Sequence, residues 1–109
     1  MTGSEIATID LVAVSAAGER RPVRLRLAAP ASEGTGSWAC LLALEGLYGR
    51  PMAVRGEDAL QALCLALALA ARLLREVAAG GGRLELPDGD EFPFDAYFGR
   101  LADPGAPAT

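Results

Sequence analysis

The sequence contains no lysine, no histidine and no asparagine, and all ten of its basic residues are arginine. Without histidine, the chain cannot form a Ser-His or Cys-His nucleophile pair or a histidine-ligated zinc site. Without lysine, it lacks the residue that forms Schiff bases and the lysine of phosphate-binding loops. These absences exclude several large classes of enzyme and leave carboxylates, arginine, tyrosine, cysteine and hydroxyl groups for any catalysis.

Cysteine, leader-like features and long apolar runs are also scarce. The amino end shows no basic leader followed by an apolar segment, so we expect a cytoplasmic protein in which Cys40 and Cys64 are free, buried thiols. The longest run without a charged residue, 59–71, is shorter than the ~20 residues that cross a bilayer. A net charge of −4 gives no electrostatic reason to bind nucleic acid or an anionic surface. We therefore predict no nucleic-acid partner and no membrane partner.

What the chain does contain is enough apolar sequence for one core. At 109 residues we expect a single domain over residues 1–109, with flexible ends at 1–4 and 102–109. Hydrophobic alternation and β-branched residues predict strands at 5–15, 22–27, 37–45, 52–55 and 83–86. The second strand has the clearest pattern, since its aliphatic residues alternate with arginines.

A long helix is predicted over residues 57–79, beginning at Gly56 as N-cap and ending at Gly80. With the strands, it predicts an α+β fold in which one long helix packs across one face of an antiparallel sheet of four to five strands. At 100° per residue, a broad apolar stripe is expected to face the sheet. Its members are Leu60, Leu63, Cys64, Leu67, Ala71, Leu74 and Ala78.

The helix has more leucine than this stripe contains, because Leu65, Leu69 and Leu73 fall on its opposite side. One interpretation is that the aromatic segment near the carboxyl end folds over them. The other is that these leucines, with the aromatics, form a homodimer or partner interface. The aromatic candidates are Phe92, Phe94, Tyr97 and Phe98. The spacing of Phe94, Tyr97, Phe98 and Leu101 also fits one face of a short helix.

The sequence offers only weak evidence for catalytic, metal-binding or other ligand-binding motifs. The acidic run at 88–91 lacks the spacing of a calcium loop, so we predict no metal or other cofactor. Pairs such as Glu45 with Asp10 arise by chance among fourteen carboxylates, and we predict no catalytic residue. The one basic cluster is interpreted as a solvated strand face that pairs with acids, or as a patch for an acidic partner or phosphate. It consists of Arg20, Arg21, Arg24 and Arg26.

Several motifs together carry a family resemblance. They are the amino-terminal strand pair, Trp38-Ala39-Cys40, Gly46-Leu47, and the helix start Gly56-Glu57-Asp58-Ala59-Leu60-Gln61-Ala62-Leu63. This combination resembles a family of small bacterial proteins classed as a domain of unknown function, over residues 5–80. Its motifs are structural, so the resemblance implies no catalytic or binding residue.

The sequence therefore favours a non-enzymatic protein that binds another protein, of an immunity, antitoxin or accessory type. A small-ligand or enzymatic domain that uses the aromatic and acidic carboxyl-terminal segment is the first alternative. A homodimeric structural module is the second.

Overall fold

The structure is a computed structural model that describes residues 4–99. In chain order its elements are β1 (Glu5–Val14), β2 (Arg20–Ala28), β3 (Ala31–Ser32), β4 (Trp38–Glu45), β5 (Met52–Gly56), α1 (Ala59–Ala79), β6 (Arg83–Glu85) and α2 (Phe94–Phe98). The predicted α+β fold is confirmed, since the long helix packs against an antiparallel sheet. The five predicted strands are present, and the short β3 adds a sixth. The predicted ends at 1–3 and 102–109, and Leu101, lie outside the described residues.

The sheet is an antiparallel meander to which a long crossover adds the last strand. Strand β1 pairs with β2, β2 with β4, and β4 with β5, and each pair is antiparallel. Strand β6 then returns to the other side of β1, where it pairs over residues 12–14. Helix α1 connects β5 to β6 and therefore crosses the sheet from one edge to the other. Strand β3 continues the line of β2 and pairs with the first residues of β4.

The apolar core lies between the sheet and α1. Because directly opposed residues share a face of the sheet, the register collects most aliphatic side chains of the strands on the face toward the helix. The opposite face carries the alternating charged residues, as an antiparallel sheet with one solvated side requires. The buried residues of the helix-facing side are Leu11, Val23, Leu25, Leu27, Cys40, Leu42 and Leu44.

The helix begins two residues later than predicted, at Ala59, and its N-cap is Asp58 rather than Gly56. The Asp58 side chain accepts a hydrogen bond of 2.7 Å from the Gln61 backbone nitrogen, which satisfies a donor that the first turn leaves free. Gly56 instead ends β5, where a Cβ would lie 2.5 Å from the Ala62 nitrogen. The close approach of β5 to α1 therefore explains why this position is a glycine.

The predicted sheet-facing stripe is correct at Ala71 and Leu74, which are 0% exposed, and wrong at Leu60, Cys64 and Ala78, which are exposed. The other residues of α1 that the sheet buries completely are Ala62, Ala66 and Ala70. The helix turns mainly small side chains toward the sheet because alanine lets the helix axis approach closely, and close packing outweighs the larger transfer energy of leucine. Apart from Leu74, the larger side chains of α1 lie at the flanks of the contact or point outward.

The chain leaves α1 through the predicted glycines, with Gly81 at a φ of 89°. After β6, a tight turn reverses the chain: the Gly89 nitrogen donates to the Leu86 carbonyl, and Gly89 has a φ of 96°. The Asp88 side chain accepts from the Asp90 nitrogen at 2.9 Å, as Asx turns do. The acidic run at 88–91 is therefore explained by turn formation.

Candidate functional site

The predicted basic cluster lies on two faces of the sheet. Arg20, Arg24 and Arg26 project from the outer face, away from α1, whereas the register places Arg21 on the other face. Arg21 donates a hydrogen bond of 3.2 Å to the Gly46 carbonyl. The cluster of the linear sequence is therefore divided in three dimensions.

Each of the three outer arginines forms ion pairs with carboxylates of other strands. Arg24 contacts Asp10 at 2.7 Å, as expected from their direct opposition across β1 and β2. Arg26 bridges two carboxylates, one at 3.0 Å and the other at 2.9 Å, which belong to Glu5 and Glu45. The outer face is thus a ladder of alternating charges rather than a basic patch.

The ladder continues on β6 around Glu85, which is 8% exposed. This carboxylate accepts from Arg83 and from Arg20, each at 2.7 Å. These two hydrogen bonds lower the pKa of Glu85 below its ordinary value. The hydrogen bond from Arg24 likewise lowers the pKa of Asp10, and that from Arg26 lowers the pKa of Glu5. All three carboxylates are consequently held in their charged form.

A cleft of about 410 Å³ lies between the β1–β2 turn, the carboxyl end of α1 and Leu47. Its lining includes Glu19 and Glu76 as well as Arg20 and Arg21. The Tyr48 hydroxyl contacts Glu76 at 3.4 Å, and burial, reinforced by this carboxylate, raises the pKa of Tyr48. The cleft offers charges of both signs, unlike a site selected for one ionic ligand.

The aromatic residues near the carboxyl end pack mainly on one another. Phe92, which is 4% exposed, lies 4.8 Å from Tyr97 and 6.3 Å from Phe98 between ring centroids. Phe94 lies 5.1 Å from Phe98 and 6.2 Å from Phe92. Tyr97 remains 54% exposed. Aromatic contacts stabilise this cluster. A pocket of about 370 Å³ beside it is lined by residues 91–96, so the ligand site of the first alternative stays a prediction.

The aromatic cluster contacts α1 through Arg75, whose guanidinium lies 4.4 Å from the centroid of the Phe94 ring. Arg75 follows Leu73 by two positions, which places it about 200° farther round the helix. Arg75 therefore lies nearly opposite Leu73 on α1. Phe92, Phe94 and Phe98 belong to the same apolar core as Leu69 and Leu73, whereas Leu65 is 45% exposed.

The three leucines of the predicted interface differ in their surroundings. Leu69 and Leu73 are half-buried and pack against the core. Leu65 is 45% exposed. Together with Leu60 and Cys64, it leaves the first turns of α1 with an apolar outer surface. We did not predict Leu60 and Cys64 as part of this surface, although alanines at spacing four, residues 62, 66 and 70, could have indicated the true sheet-facing side.

The buried cysteine has a structural environment. Cys40 is 0% exposed, and its Sγ atom donates to the Ala28 carbonyl at 3.3 Å. Burial raises the pKa of the Cys40 thiol, which disfavours the reactive thiolate. Both cysteines are free, as predicted, but Cys64 is exposed, and its predicted burial is wrong. Among residues 4–99, no group of three or more potential metal ligands comes together, and no helix is long and apolar enough to cross a membrane.

Comparison with known proteins agrees with the family resemblance. No curated protein and no solved structure matches the chain. Residues 11–96, which include every element from the end of β1 into α2, match a domain of unknown function, DUF6968. The chain therefore belongs to the DUF6968 family.

Proposed function

We propose that this protein is a non-enzymatic interaction module that binds another polypeptide through the outer side of the first turns of α1. The observation that supports it most is the exposure of Leu60, at 69%, and of Leu65, at 45%, on one helix. These leucines belong to residues 59–71, which contain no charged side chain. The two leucines lie about 140° apart around the helix, with the exposed Cys64 between them, and exposed apolar surface of this kind is common at association sites.

The distribution of charge supports the same proposal. The arginines of the outer sheet face are paired within the chain, as Arg24 is with Asp10 and Arg26 with Glu5 and Glu45. An incoming phosphate or acidic partner would have to displace these carboxylates. The outer side of α1 presents no such competition, because a partner only has to remove water from apolar side chains.

We also propose the kind of biological role that this binding serves. A small bacterial, cytoplasmic protein that acts by occupying a partner's surface, as immunity proteins, antitoxins and accessory subunits do, needs a rigid scaffold and one accessible apolar face. Both are present, since α1 crosses the whole sheet and is anchored by alanines that are 0% exposed.

The experiment is a pair of matched substitutions. The variant Leu60→Gln with Leu65→Gln removes the apolar outer surface, and Ile6→Gln changes a side chain that is similarly exposed, at 51%, on β1. Affinity purification from the native host followed by mass measurement is expected to show a stoichiometric complex, with this chain or another protein, for wild type and Ile6→Gln. The double variant should yield the folded chain alone. Retention of the complex by the double variant would contradict the proposal.

A further inference from the structure

The outer side of α1 has the residue spacing of a helix-packing seam. Gln61, Leu65, Ala68 and Arg72 follow one another at intervals of four, three and four residues, which is the spacing that keeps a row of side chains facing a second helix. Gln61, Leu65 and Arg72 are exposed, and Ala68 is partly so. The seam is therefore available along its length.

We propose that the partner of this seam is α1 of a second copy of the chain, packed antiparallel about a two-fold axis that passes beside Cys64 and Leu65. This inference rests on the proposed function and names the partner. A two-fold interface must be complementary to itself. The seam meets this condition because its two ends carry opposite charges and its centre is uncharged.

The charges fix the direction and the register. Glu57 lies just before the helix and Arg72 lies on its fourth turn; both are exposed, and within residues 4–99 neither forms an ion pair. They are separated by about 22 Å along the helix axis. Antiparallel packing places each Glu57 beside Arg72 of the second copy, and the midpoint falls between residues 64 and 65. Parallel packing would place like charges together, and it would also align the two helix dipoles unfavourably.

The centre of the seam suits close packing. Cys64 and Ala68 are small, so the two helix axes can approach, and Leu65 supplies apolar area on the side of the axis away from Cys64. In this register Gln61 of one copy lies opposite Ala68 of the other. The two exposed Cys64 thiols lie across the two-fold axis from each other, on the same face of the helix pair.

Charge reversal tests this arrangement directly. Glu57→Arg alone places two arginines at each end of the interface, and Arg72→Glu alone places two acids there. Each purified variant should sediment as a monomer, at concentrations where the wild type is a dimer, with an unchanged circular dichroism spectrum. Mixing the two variants in equal amounts restores an opposite pair at both ends, so a heterodimer is expected. The double variant Glu57→Arg with Arg72→Glu should again form a homodimer.

Cross-linking of wild type checks the register without changing a charge. Copper-catalysed oxidation by dissolved oxygen should join two chains through a Cys64–Cys64 disulfide, which needs no bulky reagent to enter the interface, and Cys64→Ser should abolish the product, because Cys40 is buried. Monomeric sedimentation of the wild type, or a mixture of the two variants that stays monomeric, would overturn the inference. If the chain is monomeric but Leu60→Gln with Leu65→Gln still releases a different protein, the inference fails and the proposed function stands. If that variant releases nothing, both fail.

Discussion

The two sides of helix α1 are both apolar, yet they are built from different residues. The side on the sheet is mostly alanine, with Ala62, Ala66 and Ala70 at 0% exposure, and includes the buried Leu74. The side away from it contains leucines that water reaches, Leu60 and Leu65. A helix that served only the core would place its large side chains inward, where each buries more area.

The comparison shows that hydrophobicity alone does not indicate which side of a helix is buried. Alanine is selected where a helix must approach a sheet, because a larger side chain would push the two layers apart. Leucine on the far side then has no role in the contact with the sheet. Our proposal is that association accounts for its presence.

The largest difference in stability between the two sides of α1 is expected when a leucine on each side is replaced by alanine. Leu74 is 0% exposed, so Leu74→Ala should lower the free energy of unfolding by about 2–5 kcal/mol, through lost transfer energy and a cavity. Leu65→Ala should change it by less than about 0.5 kcal/mol, as exposed sites do. Urea unfolding, performed in the Glu57→Arg background to repel the proposed dimer, measures both. Equal losses of unfolding free energy in Leu74→Ala and Leu65→Ala would contradict the difference between the two sides of α1.

Enlarging an alanine on each side gives the next largest contrast. Ala66→Leu inserts bulk between helix and sheet and should cost roughly 1–3 kcal/mol of unfolding free energy. Ala68→Leu, on the outer seam, has room for the larger side chain and should be close to neutral in the same background. Thermal unfolding of the two variants checks this prediction. A neutral Ala66→Leu would contradict the close approach of α1 to the sheet.

A smaller effect is expected at the start of the helix. Asp58→Ala removes the side-chain acceptor of the Gln61 nitrogen and should destabilise the fold by about 1 kcal/mol, whereas Asp58→Asn should retain most of the stability. Urea midpoints of the two variants measure the difference. Equal stability of Asp58→Ala and wild type would mean that the cap lies elsewhere.

The smallest contrast concerns pH and the outer face of the sheet. Arg83 and Arg20 hold the pKa of Glu85 below its ordinary value. The pKa of this carboxyl group is higher in the unfolded chain, so on acidification the unfolded chain is protonated before the folded one. The stabilisation is therefore present at neutral pH and is lost as the pH falls through and below about 4. Glu85→Gln should therefore show a shallower loss of stability between about pH 5 and pH 3 than wild type, measured by urea unfolding at each pH. A steeper loss would contradict the ion-pair assignment.

The strands could be predicted from sequence because their signal is local. In β2, Val23, Leu25 and Leu27 alternate with arginines, and the structure buries all three while the arginines face outward. The two-residue β3 was missed because it is too short to carry a pattern and depends on its neighbour β4. Pairing partners across the sheet likewise depend on tertiary contacts that no local window contains.

The orientation of α1 could not be predicted by counting apolar residues, since nearly every position between 59 and 71 is apolar. The distinction between Ala66 and Leu65 is one of size, and size becomes decisive only when the distance to the sheet is known. The helix start was misplaced for a related reason, because Gly56 is explained by its contact with Ala62 rather than by capping. The sequence could not show that the arginines of the basic cluster are paired with carboxylates. Their partners, which include Asp10 and Glu5, lie on other strands and become neighbours only in the folded sheet.

The central claim, that a second copy covers the outer side of α1, is tested most directly by the reactivity of Cys64. The thiol is exposed in the single chain, so its rate of alkylation by iodoacetamide reports whether the surface is free. We predict that this rate falls as the protein concentration rises, and that in Glu57→Arg it stays high throughout. A wild-type rate that is the same at every concentration would contradict the account.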